Sequence, residues 1–404
     1  MIDYKHFELK NGLRVYVHED KTTPLAAVNI LYNVGSRDES PDKTGFAHLF
    51  EHLMFGGSTN IPSYDTPLQM VGGENNAFTS PDITNYYITL PSQNIETAFW
   101  LESDRMMGLS FEPKVLEVQR KVVIEEFKQR YLNQPYGDAW LKLRPLAYKT
   151  HPYQWATIGK NISHIEEATM DDVKNFFYKH YLPNNAIMVV GGNVSLPQIE
   201  QLSEKWFGPI ARGNQPLRNL PVEPLQLQKR ILKYHAKVPL NAIYKTWHIP
   251  ARMSENYYAI DLLSDILGRG QSSRLYQSLV KEKKIFNSVN SYITGSIDAG
   301  LFVVEGKLNN QFSFDQAENA INEEINLLMN NLNEEETQKV KNQAESMHAL
   351  SEMELLHRCM NLAFSANLGD ADLMNKESAL IQKVTSNQII NAAKQYLQEP
   401  NSSV

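Results

Sequence analysis

His48-Leu49-Phe50-Glu51-His52 places two imidazoles and one carboxylate on about one turn of helix. At about 100° per residue, His48 and His52 project within about 40° of each other, and Glu51 falls beside them. One helical face then carries all three groups. A zinc ion accepts neutral imidazole nitrogens at about 2.0–2.1 Å and, at a reactive centre, keeps one position open, so two His at i and i+4 supply half of such a site. Glu51 is left free to take a proton. The flanks carry helix signals: Asp42 or Thr44 as cap, Phe46, Leu49, Phe50 and Leu53 as an apolar stripe, and Gly56-Gly57 as the end.

A zinc site needs a third protein ligand, and the segment Pro113 to Arg130 offers one. Proline near the start, followed by Val115, Val118 and Val122, reads as a helix with one apolar stripe. Glu126 extends that stripe at i+4 from Val122, where a carboxylate among buried valines would be costly unless paired or bound to metal. Glu125 lies at i+3 from Val122 and i+7 from Val118. Spacing leaves the two glutamates open.

The order His-x-x-Glu-His is the inverted form of a zinc-peptidase motif. Together with Arg120-Lys121-Val122-Val123-Ile124-Glu125-Glu126 and Gly73-Glu74-Asn75-Asn76-Ala77-Phe78-Thr79, it resembles the pitrilysin-type zinc metallopeptidases of family M16, notably the shorter bacterial members and the mitochondrial processing peptidases. Asn11-Gly12-Leu13-Arg14-Val15, Asp82-x-Thr84-x-Tyr86 and Tyr181-Leu182-Pro183-Asn184-Asn185-Ala186 extend the likeness over nearly the whole chain. The resemblance implies Zn²⁺ held by His48, His52 and Glu126, with Glu51 as general base. It also implies an α+β fold of two homologous domains, each a mostly antiparallel sheet covered by helices, forming one half of a clam-shell chamber for unfolded peptides. Within it, Asn76, Ala77 and Phe78 lie on an edge strand that pairs with the substrate backbone. One departure is Gln119, where family members often carry a glutamate seven residues before the third ligand. Either Glu51 acts alone, or Glu125 or Glu117 supplies that charge.

Length and composition bound the rest. A chain of 404 residues fits two domains rather than one core, and 42% hydrophobic with 21% charged residues is ordinary for a globular protein. No apolar run approaches the roughly eighteen residues that would span a bilayer, and Met1 to His6 shows no basic region followed by an apolar one. With a single cysteine, Cys359, expected to pack in a helix, the chain reads as cytoplasmic. A net charge of −7 argues against nucleic acid as the main partner. The proline-rich stretch from Gly208-Pro209 through Pro216, Pro221 and Pro224 reads as a linker, giving domains 1–210 and 229–404 around 211–228. Strands are expected at Arg14 to His18, Ala26 to Tyr32, Ala186 to Val190, Ala242 to His248 and Gly300 to Lys307. Helices are expected at Asn94 to Met107, Pro113 to Tyr131, Thr169 to His180, Tyr257 to Leu267, Phe314 to Asn330, Glu334 to Leu368 and Ser386 to Tyr396. The shared order of strand, long helix and strand suggests a weak internal duplication.

The second half departs from the family more seriously. Gly268-Arg269-Gly270-Gln271-Ser272-Ser273-Arg274-Leu275 resembles the family's G-x-x-x-S-S-R-L turn and lacks the Lys and spacing of a phosphate-binding P-loop. Complete family members carry an Arg and a Tyr after this turn that hold substrate near the metal; here those positions are Val280 and Asn287. Neither offers the required donor. The expectation is therefore a heterodimer with a homologous subunit that lacks the zinc motif and supplies the pair. The alternatives are a homodimer using Arg269, Arg274 or Tyr276, and a non-catalytic core subunit of the same fold.

Overall fold

The computed structural model describes residues 1–214 and 217–404, so Pro216 of the expected linker lies outside the described residues. Two compact units emerge, one formed by Met1–Arg130, Trp155–Leu220 and Leu350–Asn375, the other by Tyr131–Gln154, Pro221–Ala349 and Lys376–Val404. The crossing at Leu220 and Pro221 falls inside the expected linker 211–228. Two further exchanges, at 131–154 and 350–375, mean that neither unit is a contiguous half such as 1–210 or 229–404.

The first unit holds a six-stranded sheet built from β1 (Lys5–Glu8), β2 (Arg14–Glu19), β3 (Leu25–Tyr32), β4 (Glu74–Thr79), β5 (Thr84–Pro91) and β6 (Ala186–Gly192), in the order β1-β2-β6-β3-β5-β4. Only β2 and β6 run parallel; every other neighbour is antiparallel. The central strands β3 and β6 are buried almost throughout, as their run of β-branched and small apolar residues requires. β4 forms one edge, alternating exposed and half-buried residues.

The helix expected as one run from Glu334 to Leu368 is two, Glu334–Ser351 and Leu355–Asn367. The intervening turn at Glu352 to Glu354 contains neither Gly nor Pro, so no local breaker marks it. Tertiary packing sets the break: Leu355–Asn367 lies on β6 and β3, where Gly191 leaves room for it. A Cβ on Gly191 would stand 2.5 Å from the Cys359 sulfur. Cys359 is thus the packed helix residue expected, and burial pushes its thiol up to about 12.

The second unit holds a four-stranded antiparallel sheet of β7 (Ala242–His248), β8 (Phe286–Ile293), β9 (Leu301–Leu308) and the short β10 (Ser402–Ser403), in the order β10-β7-β9-β8. Helices Tyr257–Gly268, Phe314–Asn331 and Ser386–Tyr396 close its core with Leu263, Leu267, Ile321, Ile325 and Ile389. The fold is mixed α+β, with two sheets carrying helices. Among the described residues no helix is long and apolar enough to cross a membrane.

Candidate metal centre

The motif forms the helix Phe46–Leu53, which buries Phe46, Ala47, Leu49, Phe50 and Leu53 and leaves His48, Glu51 and His52 on the other face. Its start differs from expectation. Neither Asp42 nor Thr44 caps it; the N-cap is Gly45, at φ +89, and the free N–H groups of Gly45 and Ala47 donate to the carboxylate of Glu39 at 2.9 and 2.8 Å. A side-chain Cβ at position 45 would meet the Ile158 carbonyl at 2.6 Å, so a tight approach and a left-handed backbone together require glycine. Behind the helix, Phe50 stacks on Phe176 at 5.0 Å and on Tyr181 at 5.4 Å. Past its end, Phe55 packs over Arg105, a fully buried guanidinium paired with Glu102 at 2.6 Å and lying against the rings of Tyr64 and Tyr86.

The third group comes from the helix Pro113–Phe127, tied down by Arg120, whose Nε donates to the Ile165 carbonyl at 3.0 Å. Its buried face is Leu116, Val123, Ile124 and Phe127. The expected stripe is not core: Val118 is 49% and Val122 44% exposed. The i, i+4 pattern of valines marks the face that carries Glu126, and the core is filled from another face by Leu116, Val123, Ile124 and Phe127. The two glutamates separate clearly, since the Glu126 side chain is 18% exposed and the Glu125 side chain, paired with Lys128, is 60% exposed.

Glu126 Oε2 lies 3.6 Å from His48 Nε2 and 3.5 Å from His52 Nε2. The three donor atoms all fall within 4.8 Å of one another. Two donors held at about 2.1 Å on a tetrahedral ion sit about 3.4 Å apart, so this donor set has the size and chemistry that zinc requires. The imidazoles stand nearly perpendicular, at 86° with centroids 4.9 Å apart. Burial, with help from the neighbouring His52 and Arg130 charges, lowers the His48 pKa to about 3, which keeps a nitrogen lone pair available. The buried Nδ1 of His48 finds no partner among the described residues.

Two neighbours of the site escaped sequence reasoning. Arg130 Nη1 meets Glu126 Oε1 at 2.8 Å, and Thr79 Oγ1 donates to Glu51 Oε2 at 2.5 Å. The first is an i, i+4 pair that the sequence spells out. The second joins positions 28 apart, and only the strand following the motif helix hinted at it. Burial raises the Glu51 pKa, opposed by the Thr79 hydroxyl. Glu117, its side chain 48% exposed, pairs with Arg120 and Lys121, and Glu125 with Lys128. Asn76, Ala77 and Phe78 lie on β4, the sheet-edge strand adjoining the motif helix. In the second unit, Val280 packs against the core and Asn287 is exposed on β8. Arg269 is paired with Asp265 at 3.0 Å and Arg274 with Glu336 at 2.6 Å.

Two family models match successive segments of the chain, each running across a crossing between the two units. The family model for insulinase, peptidase family M16, matches residues 14–145, and that for the peptidase M16 inactive domain matches residues 167–344. The zinc protease PqqE of Helicobacter pylori is 34% identical over 301 residues, covering 73% of this chain and 68% of that protein. The chain belongs to peptidase family M16. Another relative, the uncharacterized zinc protease YmxG of Bacillus subtilis, is 26% identical over 308 residues, covering 75% of this chain and 73% of that one. The crystal structure of a protease from Helicobacter pylori matches with a TM-score of 0.93 at 27% identity, covering 100% of this M16 chain and 98% of that one. A structure described as a peptidase M16 inactive domain from Pseudomonas fluorescens shares the fold at a TM-score of 0.86 and 18% identity, covering 100% and 97%. The metal-capable residues all fall inside the segment matched by the insulinase model.

Proposed function

We propose that this M16 chain is the metal-carrying subunit of a zinc endopeptidase that hydrolyses unfolded peptides. One observation carries the reading: two imidazole nitrogens of a single helix and one carboxylate oxygen converge with the spacing of a tetrahedral zinc site. His48, His52 and Glu126 hold the ion, which when bound supplies Lewis acidity toward water and the scissile carbonyl. Glu51 takes the proton of the attacking water and returns it to the leaving amine. Its raised pKa moves a carboxylate toward the working pH, as a proton carrier requires. The exposed edge of β4 at Asn76, Ala77 and Phe78 receives the substrate backbone through main-chain hydrogen bonds, giving affinity with little demand on sequence.

A partner subunit completes the site. Val280 and Asn287 offer no donors of the needed kind, and Arg269 and Arg274 are already engaged in ion pairs within their own unit. These commitments favour a heterodimer, with a related subunit supplying Arg and Tyr, over a homodimer built on those arginines. A cytoplasmic location accompanies the reading, supported by the single buried cysteine.

The test is a pair of variants. Glu51→Gln is expected to keep one zinc per chain and lose hydrolysis of an unstructured peptide by at least about 100-fold, the low end of what a positioned proton carrier contributes. His48→Ala is expected to lose the metal as well. Hydrolysis by Glu51→Gln at the wild-type rate overturns the assignment of the base.

A further inference from the structure

We propose that Thr79 is a positioning residue for Glu51, so that one strand both receives the substrate backbone and fixes the base that acts on it. The inference rests on the reading of Glu51 as the base. Thr79 is the last residue of β4, in register with Thr84 of β5. The turn that follows is closed by Ser80, whose N–H donates to the Ile83 carbonyl at 2.8 Å and whose hydroxyl accepts from the N–H groups of Asp82 and Ile83 at 3.1 and 3.0 Å. β5 in turn pairs along its whole length with β3, a central strand of the sheet. The Thr79 backbone is therefore held by its pairing with β5 and by the turn that follows it, and its branched Cβ leaves χ1 few choices.

Glu51 is held far less firmly by its own helix, because a glutamate side chain has three rotatable bonds. Its single hydrogen bond among the described residues is the one from the Thr79 hydroxyl to Oε2. That donor occupies one oxygen and leaves the lone pairs of Oε1 to accept a proton. The neighbouring cation, Arg130, pairs with Glu126 instead. No other side chain in hydrogen-bond contact with Glu51 can set its orientation among the described residues. A chain added to the outer edge of β4 at Asn76 to Phe78 is thereby placed relative to the Glu51 carboxylate through the rigid backbone of a single strand.

Thr79→Val keeps the branched shape and removes the donor; Thr79→Ser keeps the donor. Each is compared with wild type for zinc content, for kcat and KM on an unstructured fluorogenic peptide, and for calorimetric binding of acetohydroxamate, whose hydroxyl needs an acceptor beside the metal. Thr79→Val is expected to retain one zinc and the wild-type KM while kcat falls about 10- to 100-fold, the usual loss when a partner orienting a working group is removed. Acetohydroxamate binding is expected to weaken by a similar factor, a readout that stands whether or not the chain alone turns over. Thr79→Ser restores both. Wild-type kcat and hydroxamate affinity in Thr79→Val overturn the coupling, as does a loss that appears in zinc content or KM, or a Thr79→Ser variant as impaired as Thr79→Val. A wild-type chain that binds no zinc overturns the metallopeptidase reading itself, which distinguishes the two failures.

Discussion

At His48, Glu51 and His52 the sequence is nearly a drawing of the site, because a helix converts spacing into angle and the i, i+4 pair has one geometry. Glu126 is different: its distance from the histidines depends on how two helices pack, and the valine stripe that pointed to it proves to be an exposed face. Thr79 was visible only as part of a strand, since nothing local encodes a hydroxyl reaching a carboxylate 28 positions away. Burial also predicts a pH response at this scale. His48 and His180 have folded pKa values of about 3 and about 4, below their ordinary 6.5, so the folded chain binds fewer protons than the unfolded one as pH drops below 6.5. Their contribution to stability is complete above pH 6.5 and is lost as pH falls toward 4 and then 3. Each group adds up to about 1.4 kcal/mol per pH unit in that window. Urea midpoints of the metal-free chain are expected to fall between pH 6.5 and 4, and more gently in His180→Asn.

Elements were legible where periodicity is strong and illegible where packing overrules it. Strands β2, β3, β6, β7 and β9 and most helices match the expected spans to within a residue or two, because branched and apolar residues recur at strand or helix period. The break between Ser351 and Leu355 carries no Gly or Pro and follows from the docking of Leu355–Asn367 onto β6. That docking depends on Gly191. Gly191→Ala is expected to destabilise the chain by about 1–3 kcal/mol through forced overpacking against Cys359, measured as a shift of the urea midpoint at unchanged slope. The support behind the motif helix makes a second prediction. Arg105 and Glu102 are both about 1% exposed, so Arg105→Met leaves an uncompensated buried carboxylate. A loss of about 3–5 kcal/mol is expected, and a loss below 1 kcal/mol would show that Glu102 simply takes up a proton.

For the whole molecule, length and composition pointed to two bodies, and two sheets with their own cores are found. The interleaving of the chain between them was invisible, because three of the crossings, at Arg130/Tyr131, Ala349/Leu350 and Asn375/Lys376, fall inside helical segments that carry no linker signal. The same scale holds the question of partners. With Val280 and Asn287 in place of the guanidinium and the phenol, the pure chain is expected to bind zinc yet cleave peptides weakly, and to gain activity with a related subunit carrying the missing Arg and Tyr. Strong cleavage by the pure chain contradicts the need for that subunit. All of this depends on His48, His52 and Glu126 closing on one ion. Zinc content by mass spectrometry of the folded chain, beside His48→Ala and Glu126→Gln, tests it most directly: one zinc per wild-type chain, lost in both variants, is predicted, and a folded wild type without zinc, or variants that retain it, would contradict the account.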